Sequence, residues 1–195
     1  MRIQSFAAAA SLLISSLVAH ADVISKSTSG PYTNVAAYVG QSFLVYGTGT
    51  YDDISFNFIS PTSSPYALGT GYLFSTPYTG SPADLSATTT GLLGTAVASD
   101  GLYTFSPSVT LEAGTLYYFF ESSLIPTGAI TGYSFPPAGI DYFSSTDTGD
   151  FTWDESGASS NYTVEGSAVT PEPSTFLMLG TGLLGVVSLA RRRFS

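Results

Sequence analysis

The middle of the chain, residues 22–168, consists of short runs in which hydrophobic and polar residues alternate. In residues 54–58 the apolar Ile54, Phe56 and Phe58 fall on one side, which is typical of a strand with one buried face. Residues 161–165 alternate in the same way. Residues 115–121 are apolar on both sides, so we predict a central strand covered on both faces. Further strands are predicted over residues 35–39, 42–46, 71–75, 92–97, 102–105 and 151–153.

Gly, Pro, Ser and Asp separate these runs, and no segment of the middle region has an extended helical period. About ten short strands with turn residues between them predict an antiparallel all-β domain, a β-sandwich of jelly-roll-like type. We assign this domain to residues 22–168.

The first 21 residues follow the pattern of a secretory signal peptide. A positive start at Met1-Arg2 precedes an apolar run over residues 6–18, and Ala19-His20-Ala21 supplies the small residues that signal peptidase recognises. We therefore expect a signal helix that is removed after Ala21. The single histidine, His20, would leave with it.

The composition changes again after residue 168. Residues 169–175 form a polar segment with two prolines, residues 176–190 are apolar with interspersed glycines, and the basic tail 191–195 begins with Arg191-Arg192-Arg193. A helix over 176–190 would be roughly 22 Å long, which is short of a hydrocarbon core of about 30 Å, although local thinning of the bilayer accommodates it. The arginines favour the cytoplasmic side, which leaves the domain outside.

The triplet Pro171-Glu172-Pro173, the following Ser174-Thr175, the apolar helix and the terminal arginines together resemble the PEP-CTERM sorting signal of Gram-negative bacteria. The resemblance implies processing by an exosortase, a membrane enzyme, and a link to exopolysaccharide or biofilm production. The protein would be held briefly in the inner membrane with its domain on the periplasmic side, and would then reach the cell surface or the extracellular matrix. A permanent membrane anchor is the alternative.

The domain itself resembles the choice-of-anchor R family. The similar segments extend from Gln41-Ser42-Phe43 to Ser122 and include Gly91-Leu92-Leu93-Gly94-Thr95, and the closing strand at residues 161–166 is similar too. This resemblance implies a jelly-roll-type module without an assigned catalytic activity.

Charge and composition exclude several classes of function. Between residues 22 and 170 the only basic residue is Lys26 against 13 acids, a formal charge of −12, and phosphate binding needs lysines and arginines. We therefore expect no nucleic-acid partner. The chain contains no cysteine, and without His20 it has no histidine, so the usual nucleophilic triads and His/Cys metal sites cannot be assembled.

Two candidate sites remain, and both lie near residue 150. Hard oxygen ligands suit Ca²⁺, and a loop carries four carboxylates; a solvated acidic loop is the alternative. The aromatic Trp153 is a candidate for stacking on sugar rings, with packing in the core as the alternative. The four carboxylates are Asp147, Asp150, Asp154 and Glu155.

These observations predict a surface-sorted, non-catalytic protein of the cell envelope or exopolysaccharide matrix that acts by binding or structural assembly. No cofactor is expected, with Ca²⁺ as the one exception. One alternative is a glycoside hydrolase or lyase that uses two carboxylates. Another is a calcium-dependent adhesin.

Overall fold

A computed structural model describes residues 21–27, 32–34, 38–58, 69–99, 102–123, 130–132, 142–145, 149–153 and 159–169. Within these ranges the regular structure is extended, apart from one short 3₁₀ helix at Pro82–Asp84. All strand pairs are antiparallel. The expectation of an antiparallel all-β domain is therefore confirmed.

Thirteen strands occur in the described part of the chain. They are β1 (Ala21–Ser27), β2 (Tyr32–Asn34), β3 (Tyr38–Leu44), β4 (Thr50–Phe58), β5 (Thr70–Phe74), β6 (Leu92–Ser99), β7 (Leu102–Thr104), β8 (Leu111–Glu112), β9 (Leu116–Glu121), β10 (Ile130–Gly132), β11 (Tyr142–Ser145), β12 (Thr152–Trp153) and β13 (Tyr162–Ala168).

Eleven of these strands belong to one sheet. Its order is β1-β13-β4-β7-β6-β5-β9-β3-β11-β12, and β8 adds to β4, while β10 and β2 form a separate pair. The backbone N–H of Tyr46, just after β3, donates to the carbonyl of Ile24 in β1 at 2.7 Å. This contact joins two strands that are distant in the order, so the sheet curls and nearly closes on itself.

The inside of the curled sheet is packed with aromatic rings. The rings of Phe56 on β4 and Phe119 on β9 are stacked with centroids 4.1 Å apart, and Tyr162 on β13 stacks on the other side of Phe56 at 5.6 Å. All three side chains are buried. Because β4 and β9 are four steps apart in the sheet order, this stack fills the core between opposite walls.

A second apolar cluster lies on the outside of β5 and β9. It contains Phe74, Leu85, Phe120 and Phe151, with Tyr78 packed against them. On β9 the inner side chains Tyr117 and Phe119 belong to the core, whereas Phe120 belongs to this outer cluster. The prediction that residues 115–121 form a central strand covered on both faces is therefore confirmed.

Two of the predicted strands are joined in the structure. Residues 38 and 39 of the first prediction and 42–44 of the second belong to the single strand β3, and Gln41 lies between them. Its buried side-chain amide donates to the Ser42 carbonyl at 2.8 Å, and its side-chain oxygen accepts from the Ser160 backbone N–H at 2.8 Å. Because both ends of this polar side chain are satisfied, the strand continues through a position that looked like an interruption.

Strands β1, β2, β8, β10 and β11 were not predicted. These strands are short or lack a clear alternation of apolar and polar residues, so the sequence pattern does not indicate them. They are recognised as strands only by their hydrogen-bonded pairing with neighbouring strands. The predicted signal helix and the predicted helix over 176–190 lie outside the described residues. Among the described residues, no helix is both long and apolar enough to cross a bilayer.

Candidate functional site

The two ends of the domain lie side by side. Strands β1 and β13 pair antiparallel, with Ala21 opposite Ser167 and Asp22 opposite Gly166. Ala21 is the residue after which signal cleavage is predicted, and β13 is the last strand before the predicted sorting segment. Both junctions are therefore located at the same end of the sheet.

The last strand holds this end firmly because it has neighbours on both sides. Strand β13 pairs with β1 on one side and with β4 on the other, where Ala168 is opposite Tyr51. The backbone N–H of Val169 then donates to the Thr50 carbonyl at 2.9 Å. The chain is thus hydrogen-bonded into the sheet up to the residue just before Thr170 and the proline triplet.

A bulge in β4 lies opposite β13 just before this junction, because Asp53 and Ile54 together are opposite the single residue Gly166. The register of β13 against β4 shifts between Glu165 and Ser167, and Asp53 has a left-handed φ of 49°. Residue 166 faces the core, and a Cβ there would lie 2.8 Å from Cδ1 of Ile54. Glycine has no Cβ, so the backbone can pack this closely against the core. Asp is one of the few side chains that adopts the left-handed conformation readily.

We use the name junction end for the surface formed by residues 21–23, 50–51 and 167–169. Acidic side chains lie on it or beside it: Asp22 and Asp53 are exposed, and Glu112 accepts a hydrogen bond from the Thr50 hydroxyl at 2.8 Å. The side chains of Val23 and Val169 on the same surface are about half exposed, at 51% and 48%. The junction end is therefore acidic, with two exposed apolar side chains.

The structure also contains a buried acid that the sequence analysis did not single out. Glu121, at the end of β9, is fully buried, and the Tyr103 hydroxyl donates to its Oε1 at 2.5 Å. Its Oε2 has no hydrogen-bond partner within the described part of the chain. Burial raises the pKa of Glu121 to about 8, although the hydrogen bond from Tyr103 lowers it in part, so the carboxyl is mostly protonated at neutral pH.

Small residues make room for this contact. Across the sheet, Tyr103 on β7 is opposite Ala98 on β6, Ala96 on β6 is opposite Gly71 on β5, and Gly71 is opposite Glu121. A Cβ on Gly71 would lie 2.8 Å from the Tyr103 ring. The tyrosine ring therefore crosses the inner face over small side chains to reach the acid. Glu121 lies on the same side of β9 as Tyr117 and Phe119, whose side chains face the core. This alternation along the strand is the sequence feature that indicates a buried position for Glu121.

The predicted calcium site falls mostly outside the described part of the chain. Of the four carboxylates only Asp150 is described, and it is exposed; Asp147, Asp154 and Glu155 lie outside the described residues. No group of three potential ligands suited to a metal ion occurs among the residues that the structure describes. Burial raises the pKa of Tyr78, and the carboxylates of Asp84 and Asp150 raise it further, so Asp150 lies near that ring. Calcium binding stays a prediction.

The predicted sugar-stacking residue is at a margin of the sheet. Trp153 is the second residue of β12 and pairs with Phe143 of β11, which in turn pairs with Gly40 of β3. Neighbouring Phe151 is buried in the outer cluster, and its backbone N–H donates to the Gly80 carbonyl at 3.0 Å. The role of Trp153 in sugar binding stays a prediction.

The remaining predicted site residues, at the two chain ends, lie outside the described residues, except for Ala21. They are Ala19, Pro171, Glu172, Pro173, Arg191, Arg192 and Arg193.

Comparison with known proteins identifies the C-terminal segment. Residues 169–193 match the family described as the PEP-CTERM protein-sorting motif. Searches of curated proteins and of solved structures gave no significant match. Nothing in these comparisons supports the resemblance of the domain to the choice-of-anchor R family. The chain thus carries a PEP-CTERM sorting motif directly after the last strand that the structure describes, which indicates exosortase-dependent export and sorting to the cell surface.

Proposed function

We propose that this chain is a non-catalytic protein of the cell envelope or exopolysaccharide matrix, which acts through a jelly-roll-like β domain by binding or by structural assembly. The observation that carries the proposal is the sorting motif at residues 169–193, placed directly after the last strand of the sheet. A signal peptide over residues 1–21 would bring the domain to the periplasmic side, and the apolar segment 176–190 would hold it in the inner membrane until processing.

The chemistry of the domain supports a non-catalytic role. Among the carboxyls that the structure describes, Glu121 has the most perturbed pKa, and it is enclosed in the core, hydrogen-bonded to Tyr103 and away from any solvent-borne substrate. The chain has no cysteine, and its single histidine belongs to the predicted signal. The acidic surface favours solubility outside the cell and repels anionic polymers, so a neutral polysaccharide or a protein is the favoured kind of partner.

Mass spectrometry of the native protein, in envelope and culture fractions, tests the sorting part of the proposal. We expect the mature protein to begin at Asp22 and to lack Arg191-Arg192-Arg193. Replacing Pro171-Glu172-Pro173 by three alanines should leave the C-terminus unprocessed and the protein in the inner membrane. The matched control is Thr170→Val, which should be processed normally. An intact chain in the cytoplasm, with Arg2 and Arg193 still attached, would contradict the proposal.

Binding to the native exopolysaccharide tests the molecular task. We expect Trp153→Ala to weaken retention of the protein on the immobilised polysaccharide. The control is Tyr46→Ala, because Tyr46 is an exposed aromatic residue near β1, where no sugar contact is predicted. Equal retention of the wild type and Trp153→Ala would remove this residue from the proposal.

A further inference from the structure

The two segments predicted to enter the membrane leave the folded domain at the same place. The apolar run of the signal ends at Val18, and β1 begins at Ala21. Ala21 is opposite Ser167 in the sheet, and neighbouring strands are about 4.8 Å apart. Val169, two residues later, is still hydrogen-bonded to β4. Both exits therefore lie within about 10 Å of one another.

The connection from the domain to the C-terminal apolar segment is short. The segment begins at Phe176, seven residues after Val169. Seven residues span at most about 25 Å when fully extended. A folded domain of this length has a radius of gyration of about 15 Å, so its far end lies well beyond the near end.

From this geometry we infer that the junction end faces the bilayer until the C-terminus is cut, and that it is the surface which the membrane-embedded processing enzyme meets. The occupant of this surface is the chain's own C-terminal segment together with the lipid around it. This inference rests on the proposed function, because it requires the apolar segment to be inserted.

The charge of the junction end adds a consequence. Asp22, Asp53 and Glu112 lie at or beside it, and the surface of a membrane with anionic lipids repels carboxylates. Only the C-terminal segment then holds this end close to the lipid. Once the segment is removed, the repulsion favours release of the domain.

Single cysteines report the orientation cleanly because the natural chain has none. Ala168→Cys places a fluorophore at the junction end. Ser99→Cys places one near the other end of the sheet. Ser99 lies in the same row across neighbouring strands as Thr163, through the pairs Ser99–Leu102, Leu102–Asn57 and Asn57–Thr163. Thr163 lies five residues before Ala168 along β13, roughly 17 Å away. Both substituted side chains are exposed, so labelling should leave the core intact.

The test uses the chain with its tail intact, purified from cells that lack the processing enzyme. It is incorporated into vesicles of phosphatidylethanolamine and phosphatidylglycerol that carry a nitroxide on the lipid headgroup. We expect a large loss of fluorescence for the label at residue 168 and a much smaller loss at residue 99. Vesicles without nitroxide are the control, and Val23→Cys is a second reporter at the junction end.

Three outcomes separate the possibilities. Strong quenching at residues 168 and 23 with weak quenching at 99 supports the inference. Equal quenching at all three positions, or stronger quenching at 99, overturns it while the proposed sorting stands. If the protein does not float with the vesicles, the tail does not insert, and both the inference and the proposed function fail.

Discussion

At the scale of single residues, the Tyr103–Glu121 pair is the feature with the clearest consequence. The carboxyl is fully buried, has one partner at 2.5 Å, and its second oxygen has none among the described residues. Burying an ionised carboxylate with one neutral hydrogen bond is unfavourable, so the protonated form is the one that fits the core. The folded domain therefore keeps the Glu121 carboxyl protonated at pH values at which the unfolded chain has lost this proton.

The stability of the domain should fall as the pH rises because of this proton. The pKa of Glu121 is raised from 4.5 to about 8. The contribution of the protonated carboxyl to the free energy of unfolding is therefore complete below pH 4.5 and is lost as the pH rises through 8. One proton corresponds to roughly 1 kcal/mol per pH unit in this window. We expect Glu121→Gln to remove this slope from urea-unfolding free energies measured between pH 5 and 9.

The matched control for this measurement is Glu165→Gln, since Glu165 is an exposed glutamate on β13. The control should keep the slope of the wild type. If the wild type and Glu121→Gln had parallel pH profiles, the buried acid would not be protonated in the folded state.

Gly71 is the second residue with a specific structural role. A Cβ at this position would lie 2.5 Å from Cε2 and 2.6 Å from Cζ of Phe119, and 2.8 Å from the Tyr103 ring. Rigid rings cannot yield as a flexible chain end does, so Gly71→Ala should lower the free energy of unfolding by about 1–3 kcal/mol. Chemical denaturation checks this, with the exposed Thr95→Ala on neighbouring β6 as control. A loss no larger than that of the control would show that the rings move freely.

At the scale of elements, β9 differs from an ordinary half-buried strand. It lies between β5 and β3, contributes Phe119 to the inner core and contributes Phe120 to the outer cluster beneath Tyr78 and Leu85. Tyr78 and Leu85, which lie between β5 and β6, and Phe151 cover its outer face. The loop between β5 and β6 is therefore part of the hydrophobic packing.

This arrangement predicts that consecutive residues on β9 are equally important for stability. Phe119 and Phe120 are both 0% exposed, so replacing either by alanine should cost about 3–5 kcal/mol. In a strand with one solvated face, one of the two would cost little. Thermal and urea unfolding of the two variants checks the expectation, and a nearly neutral Phe120→Ala would argue that the outer cluster is loose.

At the scale of the whole molecule, the sheet depends on its last strand. Strand β13 bridges β1 and β4 and buries Tyr162 and Val164 in the core. The sorting motif begins where this strand ends. Processing anywhere beyond Val169 leaves every described ladder of the sheet intact, whereas loss of β13 removes the partner of two strands.

Two shortened chains test this dependence. A chain spanning residues 22–169 should show a cooperative thermal transition and a β-type circular dichroism spectrum. A chain spanning 22–161 should lose both, because β1 and β4 are left with unpaired edges and the core loses two buried side chains. Cooperative melting of the shorter chain at an unchanged temperature would show that β13 is dispensable.

The sequence alone was sufficient for features that depend on local order along the chain. Alternation in residues 54–58 and the two-sided apolar run at 115–121 predicted β4 and β9. Successive side chains of a strand point to opposite faces, so the burial of each face can be recognised from every second residue. The sorting motif was also recognisable, since a processing enzyme recognises a linear segment and not a fold.

Tertiary contacts determined the rest. The pairing of β1 with β13, which brings the first and last described strands together, joins residues about 140 positions apart, and no local pattern specifies such a partner. The protonation of Glu121 likewise depends on a tyrosine three strands away in the sheet order and on the small residues between them. The physical reason is that the identity of a strand follows from its own residues, whereas its neighbours follow from how all the strands bury their apolar faces together.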